Sequence, residues 1–212
     1  MKSPRGKFIV IEGIDGAGTT TQSRRLVDWL EARGRRAAWT CEPTHGPVGA
    51  MLRQILSARL VAVSPQGGQA RIDNGVIALL FAADRLDHLA CEVLPWLQSG
   101  TDVVSDRYVH SSIAYQSVEG DLDWVLSLNA RARPPDATYF LRLPAEQAAA
   151  RRSGRASEEI YETDAFQLQV AQIYDRLPTV LSGQEIVIVD GAADPDAVQA
   201  AICGDLCRRF GW

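Results

Sequence analysis

Gly13-Ile14-Asp15-Gly16-Ala17-Gly18-Thr19-Thr20 decides how this chain is read. A loop that cradles nucleotide phosphates follows G-x-x-x-x-G-K-[ST], and every position agrees except Thr19, which stands where the lysine belongs. The flanks agree as well. Lys7 to Glu12 is a short apolar run that predicts a buried strand, and Thr20 to Arg33, with Leu26 and Leu30 four apart, predicts the helix that follows. Such a turn aims backbone N–H groups and a helix N-terminus at phosphate oxygens. The residues expected to do so are Gly13, Asp15, Gly16, Ala17, Gly18, Thr19, Thr20 and Thr21, with the Thr20 hydroxyl on Mg²⁺. The expectation is a nucleotide site that lacks one cation.

Composition limits what can fill that gap. The chain has 22 basic residues, but its only lysines are Lys2 and Lys7, so the rest are arginine. Lys7 begins the first strand and the loop follows its far end, roughly 17–20 Å away for a strand of five or six residues. A substitute cation is therefore an arginine or comes from a partner. A length of 212 residues suits one α/β domain, spanning 1–212, with a substantial core. A net charge of −4 argues against an extended nucleic-acid surface. There is no apolar run of membrane-spanning length and no signal-peptide core, so the expected location is the cytoplasm, with no membrane partner. Cys41, Cys91, Cys203 and Cys207 form no disulfide pattern, and His45, His88 and His110 do not cluster at ligand spacing.

Apolar runs alternating with helical stretches predict a doubly wound, mainly parallel α/β sheet of five strands. After the first, the strands expected are Ala37–Cys41, Asp102–Ser105, Ala137–Leu141 and Glu185–Val189. Val48 to Leu60 reads as helix, Gln69 to Leu97 as a long helical region with a turn near Asp73-Asn74-Gly75, and Val198, Ile202, Leu206 and Phe210 mark a terminal helix. Polar clusters fall at the carboxyl ends of strands, where such sheets bind ligands: Asp15, then Glu42-Pro43-Thr44, then Asp106-Arg107.

These pieces together resemble the thymidylate kinase family, along nearly the whole chain. Gly13 to Gln22 resembles its E-G-x-D-G-[AS]-G-K-T-T-Q loop except at Thr19. Glu42-Pro43, Leu52-Arg53, Leu79 to Arg85, Asp106-Arg107-Tyr108 with Ser111 and Ala114-Tyr115-Gln116, and Pro135-Asp136 match further family segments in order. The resemblance implies a P-loop kinase fold with a short mobile lid at about 150–162, an acceptor-binding region over 42–116, and transfer of phosphate from ATP to dTMP. It implies that Phe81 stacks on the pyrimidine and Arg85 bonds its carbonyl edge. Arg53 and Arg107 would grip the monophosphate, helped by Glu42, Pro43, Ser111, Ser112, Gln116 and Glu162 around the acceptor. Asp15 would bond the deoxyribose 3′-hydroxyl and orient an arginine, Tyr115 would crowd the 2′ position, and Thr20 with Asp106 would hold Mg²⁺. Arg151 and Arg155 would be catalytic lid arginines, because members with Gly or Ala where this chain has Gly16-Ala17 carry the arginine in the lid. A homodimer is implied as well.

Arg155, Arg151 and Arg142 are the candidates to replace the missing lysine. Losing one charge-stabilising donor costs on the order of 10²–10³ in rate. Two rivals stand beside the kinase reading. One is a deoxynucleoside kinase using Glu42 as base; the other is a catalytically weak nucleotide-binding relative, for which Thr19 is the sole argument.

Overall fold

The computed structural model describes residues 5–152, 160–161 and 163–212. In chain order the strands are β1 (Phe8–Glu12), β2 (Ala37–Cys41), β3 (Ala62–Val63), β4 (Gln69–Ala70), β5 (Asp102–Asp106), β6 (Ala137–Arg142) and β7 (Ile186–Asp190). The helices are α1 (Thr19–Glu31), α2 (Pro47–Leu56), α3 (Asn74–His88), α4 (Leu94–Gln98), α5 (Val109–Gln116), α6 (Leu122–Leu128), α7 (Ala145–Arg152), α8 (Asp164–Val180) and α9 (Pro195–Phe210).

β1 reads Phe-Ile-Val-Ile-Glu and is buried at every position. Apolar side chains on both faces require helices on both sides, which places β1 at the centre of a parallel sheet. The order is β2-β5-β1-β6-β7, every pair parallel, as the alternating runs predicted. Cys41 and Ile11 both lie in register with Asp106, so the ends of β2, β5 and β1 form one row. That row carries Glu42, Arg107 and Gly13 into adjacent positions. The register thus gathers three loops distant in sequence.

Local chemistry sets the helix ends. The Asp73 carboxylate accepts from the N–H groups of Gly75 and Val76, so the turn expected near 73–75 is the start of α3. The long helical region expected from Gln69 is therefore shorter, because Gln69–Ala70 instead pairs with Ala62–Val63 as a small antiparallel hairpin. Val48 to Leu60 likewise ends early, at Leu56. Between α3 and α4 the backbone widens to a π-helical turn at Leu89–Val93, just before Pro95. A proline there has no N–H to give the preceding turn, and the wider turn accommodates its ring. Asp194 caps α9, Pro195 opens it, and Gly211 at φ 70° closes it.

Candidate active site

The phosphate loop depends on glycine at two positions. Gly16 and Gly18 sit at φ 94° and 93°, the left-handed region that side chains resist. A Cβ on Gly16 would also stand 2.6 Å from the Ala148 carbonyl oxygen, so α7 lies directly on the loop. Gly18 precedes α1 with no side-chain cap, leaving the first-turn N–H groups for a ligand. Beside them opens a cleft of about 850 Å³, lined by Gly16, Ala17, Gly18, Thr21, Gln22, Arg151, Gly191, Ala193, Pro195 and Val198. Arg151 donates to the Gly191 carbonyl there at 3.1 Å.

Thr20 and Asp106 meet as expected, the exposed hydroxyl donating to Asp106 Oδ2 at 2.5 Å. Asp106 Oδ1 is buried with no hydrogen-bond partner among the described residues. One hydroxyl and one under-used carboxylate oxygen suit Mg²⁺, which keeps most of its waters and takes few protein ligands.

The acceptor side is a second cleft of about 490 Å³. Asp15, Glu42, Pro43, Phe81, Arg85, Arg107, Ser111, Ser112, Tyr115 and Gln116 line it, with Tyr108 of the Asp106-Arg107-Tyr108 segment and with Leu56 and Tyr161, which sequence reading did not single out. Arg107 adopts φ 70°, unusual for a side-chain-bearing residue. The turn sends its guanidinium back to the loop, donating to Gly13 O at 2.8 Å, Ser111 Oγ at 3.1 Å and Asp15 Oδ1 at 2.6 Å. Burial works against this charge, but the facing Tyr115, Asp15, Tyr174 and Asp106 more than reverse that effect and raise its pKa. Burial pushes the Tyr115 phenol up, so it stays a neutral hydroxyl. Asp15 Oδ2 accepts from Gln167 at 2.7 Å, and Gln167 in turn accepts from Asp15 N. No pattern around Gln167 announced it; only the packing of α8 on the loop brings it there.

Arg85 is almost wholly buried, at 2% exposure. Its Nε and one Nη2 hydrogen go to Glu42 Oε2, at 3.0 and 2.7 Å, another Nη2 hydrogen to Ser112, and one on Nη1 to Asn129. A guanidinium carries five N–H groups, so one remains for a ligand. Glu42 Oε1 meets His88 Nδ1 at 3.1 Å, so both its oxygens are engaged. The carboxylate that a deoxynucleoside kinase would need as a base is locked in the wall.

Other expected residues fall elsewhere. Arg53 stands behind the Glu42-Pro43 turn, bonding the carbonyls of Pro43 and Thr44, rather than on the cleft wall. Arg142 is no candidate for the lysine's place: it is 59% exposed and pairs with Asp175 at 2.9 Å. Arg155 and Glu162 lie outside the described residues. The neighbouring Arg152, given no role from sequence, is buried on the loop, donating to Asp15 O at 2.8 Å and Asp164 Oδ1 at 2.9 Å.

A phosphate loop at the end of a central parallel strand, with one cleft lined by Asp15 and a second by the adjacent Gly16, defines a P-loop nucleoside monophosphate kinase, a transferase. The comparisons narrow this. A family model described as thymidylate kinase matches residues 11–202. The chain is 38% identical over 200 residues to "Probable thymidylate kinase" of Thermococcus kodakarensis, covering 92% of this chain and 94% of that protein. A protein of the same name from Thermococcus onnurineus is 41% identical over 175 residues, with 80% and 83% covered. One from Methanocaldococcus jannaschii is 40% identical over 184 residues, with 86% of each covered. The chain belongs to the thymidylate kinase family, and neither rival reading is supported.

Proposed function

We infer that the chain transfers the γ-phosphoryl group of ATP to dTMP, giving dTDP and ADP. The observation that carries this reading is the acceptor cleft. A binder of ATP alone has no use for a second pocket holding an aromatic ring, a buried guanidinium with one free N–H, and a second arginine on the phosphate loop.

The thymine ring lies on Phe81. The remaining N–H of Arg85 donates to a base carbonyl, and the buried Gln116 Oε1, without a partner among the described residues, can accept from the ring N–H. Tyr115 crowds the sugar's 2′ position and Asp15 receives the 3′-hydroxyl. Arg107 takes the monophosphate bidentately with Ser111 beside it, and Arg53 is the second guanidinium proposed for that group, exchanging its bonds to the Pro43 and Thr44 carbonyls to reach it. The attacking group is already an anionic phosphate oxygen, so no strong base is needed. These residues act by holding two nucleotides in line and opposing the charge where they meet. Mg²⁺ held by Thr20 and Asp106 would neutralise charge on the donor phosphates.

No helix among the described residues is long and apolar enough to cross a membrane. The cytoplasm, with its ATP pool, is the proposed place of action. A homodimer is proposed through α2 and α3, where Met51, Val76, Leu79 and Leu86 are 42–51% exposed. An ADP-release assay with dTMP, dUMP, dCMP and thymidine tests the function. Release is expected with dTMP; release with thymidine alone, or with none of the four, overturns the reading.

A further inference from the structure

Thr19 removes the side chain that would bring positive charge to the β- and γ-phosphates, yet the acceptor cleft keeps Asp15, Phe81, Arg85 and Arg107 on its wall. Three guanidinium groups among the described residues border the loop. Arg107 is committed to the acceptor side through Asp15 and Ser111. Arg151 lines the donor cleft and is engaged by the Gly191 carbonyl. Arg152 is the third, and it touches the loop at Asp15 itself. Asp15 lines the acceptor cleft and its neighbour Gly16 lines the donor cleft, so Arg152, itself on neither wall, bonds the backbone at their junction. That junction is where the transferred phosphoryl group must pass.

Resting on the kinase reading above, we propose that Arg152 supplies the charge that Thr19 does not. The fold holds it there firmly. Ala148 and Arg152 are four apart on one buried face of α7, and the Ala148 carbonyl already abuts Gly16, so the helix is packed directly on the loop. Its carboxylate partner, Asp164, is 81% exposed, so a phosphoryl oxygen can take that place with little desolvation. A guanidinium is longer than an ammonium stem and bonds two oxygens at once, which lets the charge arrive from a neighbouring helix. Lys7 is excluded as an alternative, since it pairs with Asp136 at the other end of β1.

The test is a double-mutant cycle on turnover of ATP and dTMP, with Arg152→Gln, Thr19→Lys and the pair. Arg152→Gln is expected to lower kcat about 10²–10³-fold while dTMP affinity, read by equilibrium titration, changes less than about threefold. Thr19→Lys is expected to raise kcat at least tenfold more in the Arg152→Gln background than in the native one. A merely structural arginine would show equal gains in both backgrounds, and that result overturns the proposal, as does full turnover in Arg152→Gln. Melting temperatures report the fold, and Arg152→Met, which keeps an unbranched apolar stem without the charge, replaces Arg152→Gln in the same cycle should the latter not fold. Native turnover and dTMP binding test the kinase reading separately.

Discussion

Glu42 and Arg85 form an ion pair in which both side chains are nearly sealed from solvent, at 3% and 2% exposure. Such a pair is costly to break on one side, because the surviving charge keeps its desolvation penalty without its partner. Glu42→Gln is therefore expected to lower unfolding free energy by about 3–5 kcal/mol, measured by denaturant titration. A change under about 1 kcal/mol would mean the pair is not held in the dry wall described. The same substitution is expected to raise the KM for dTMP, since Arg85 owes its place in the cleft to Glu42. Sequence reading put Arg85 in the acceptor site but had no way to see that the carboxylate positioning it was Glu42. The two are 43 residues apart, and only the β2 end and α3 bring them together.

At the scale of elements, the acceptor site depends on how closely α2 approaches the turn after β2. A Cβ on Gly49 would stand 2.2 Å from the Thr44 carbonyl oxygen, closer than any real contact. No positive φ is involved, so the demand is purely steric. Gly49→Ala is expected to push α2 outward and loosen the Glu42-Pro43-Thr44 turn, which Arg53 ties down from the same helix. The expected readout is a roughly tenfold rise in dTMP KM with ATP KM little changed, and a loss of about 1–3 kcal/mol of stability. Equal effects on both substrates would show that the helix does not act through the acceptor turn. Periodicity located α2 and α3 but misplaced their ends. Asp73 as a cap, the small hairpin before it and the π-turn before Pro95 each rest on a local contact that hydrophobic spacing does not encode.

For the whole molecule, Glu12 joins layers that the chain visits far apart. Its carboxylate accepts from Tyr108 N, Ser111 Oγ and Tyr174 OH, at 2.8, 2.6 and 2.8 Å, tying β1 to α5 and α8. Burial alone would raise its pKa, but His110, the Ser111 hydroxyl and Arg107 outweigh that and lower it. A depressed folded-state pKa contributes stability that is complete above the unfolded value, about 4.3, and is lost as pH falls through the lower folded value. The melting-temperature gap between native protein and Glu12→Gln is therefore expected to be widest near neutrality and to close below about pH 4. A gap that stays constant to pH 3 would contradict the assignment. The apolar residues left exposed on α2 and α3 lead to the other prediction at this scale. Leu79→Glu is expected to give a monomer by analytical ultracentrifugation, whereas an unchanged sedimentation coefficient would move the interface elsewhere.

What the amino-acid order determined by itself was whatever depends on neighbours in the chain. The glycine turn between an apolar strand and a helix, the five parallel strands, and the runs that carry Phe81, Arg85, Asp106 and Arg107 are all local signals, with periods and spacings readable along one dimension. What only the tertiary structure decided was which charges meet. Arg142 was a candidate for the loop from sequence and Arg152 had no role, yet one is held by Asp175 on the surface and the other is buried against Asp15. The physical reason is that a guanidinium's partner is set by how helices seat on the sheet. The small clearance at Gly16 lets α7 lie on the phosphate loop, and nothing in the spacing of residues 145–152 says that it will.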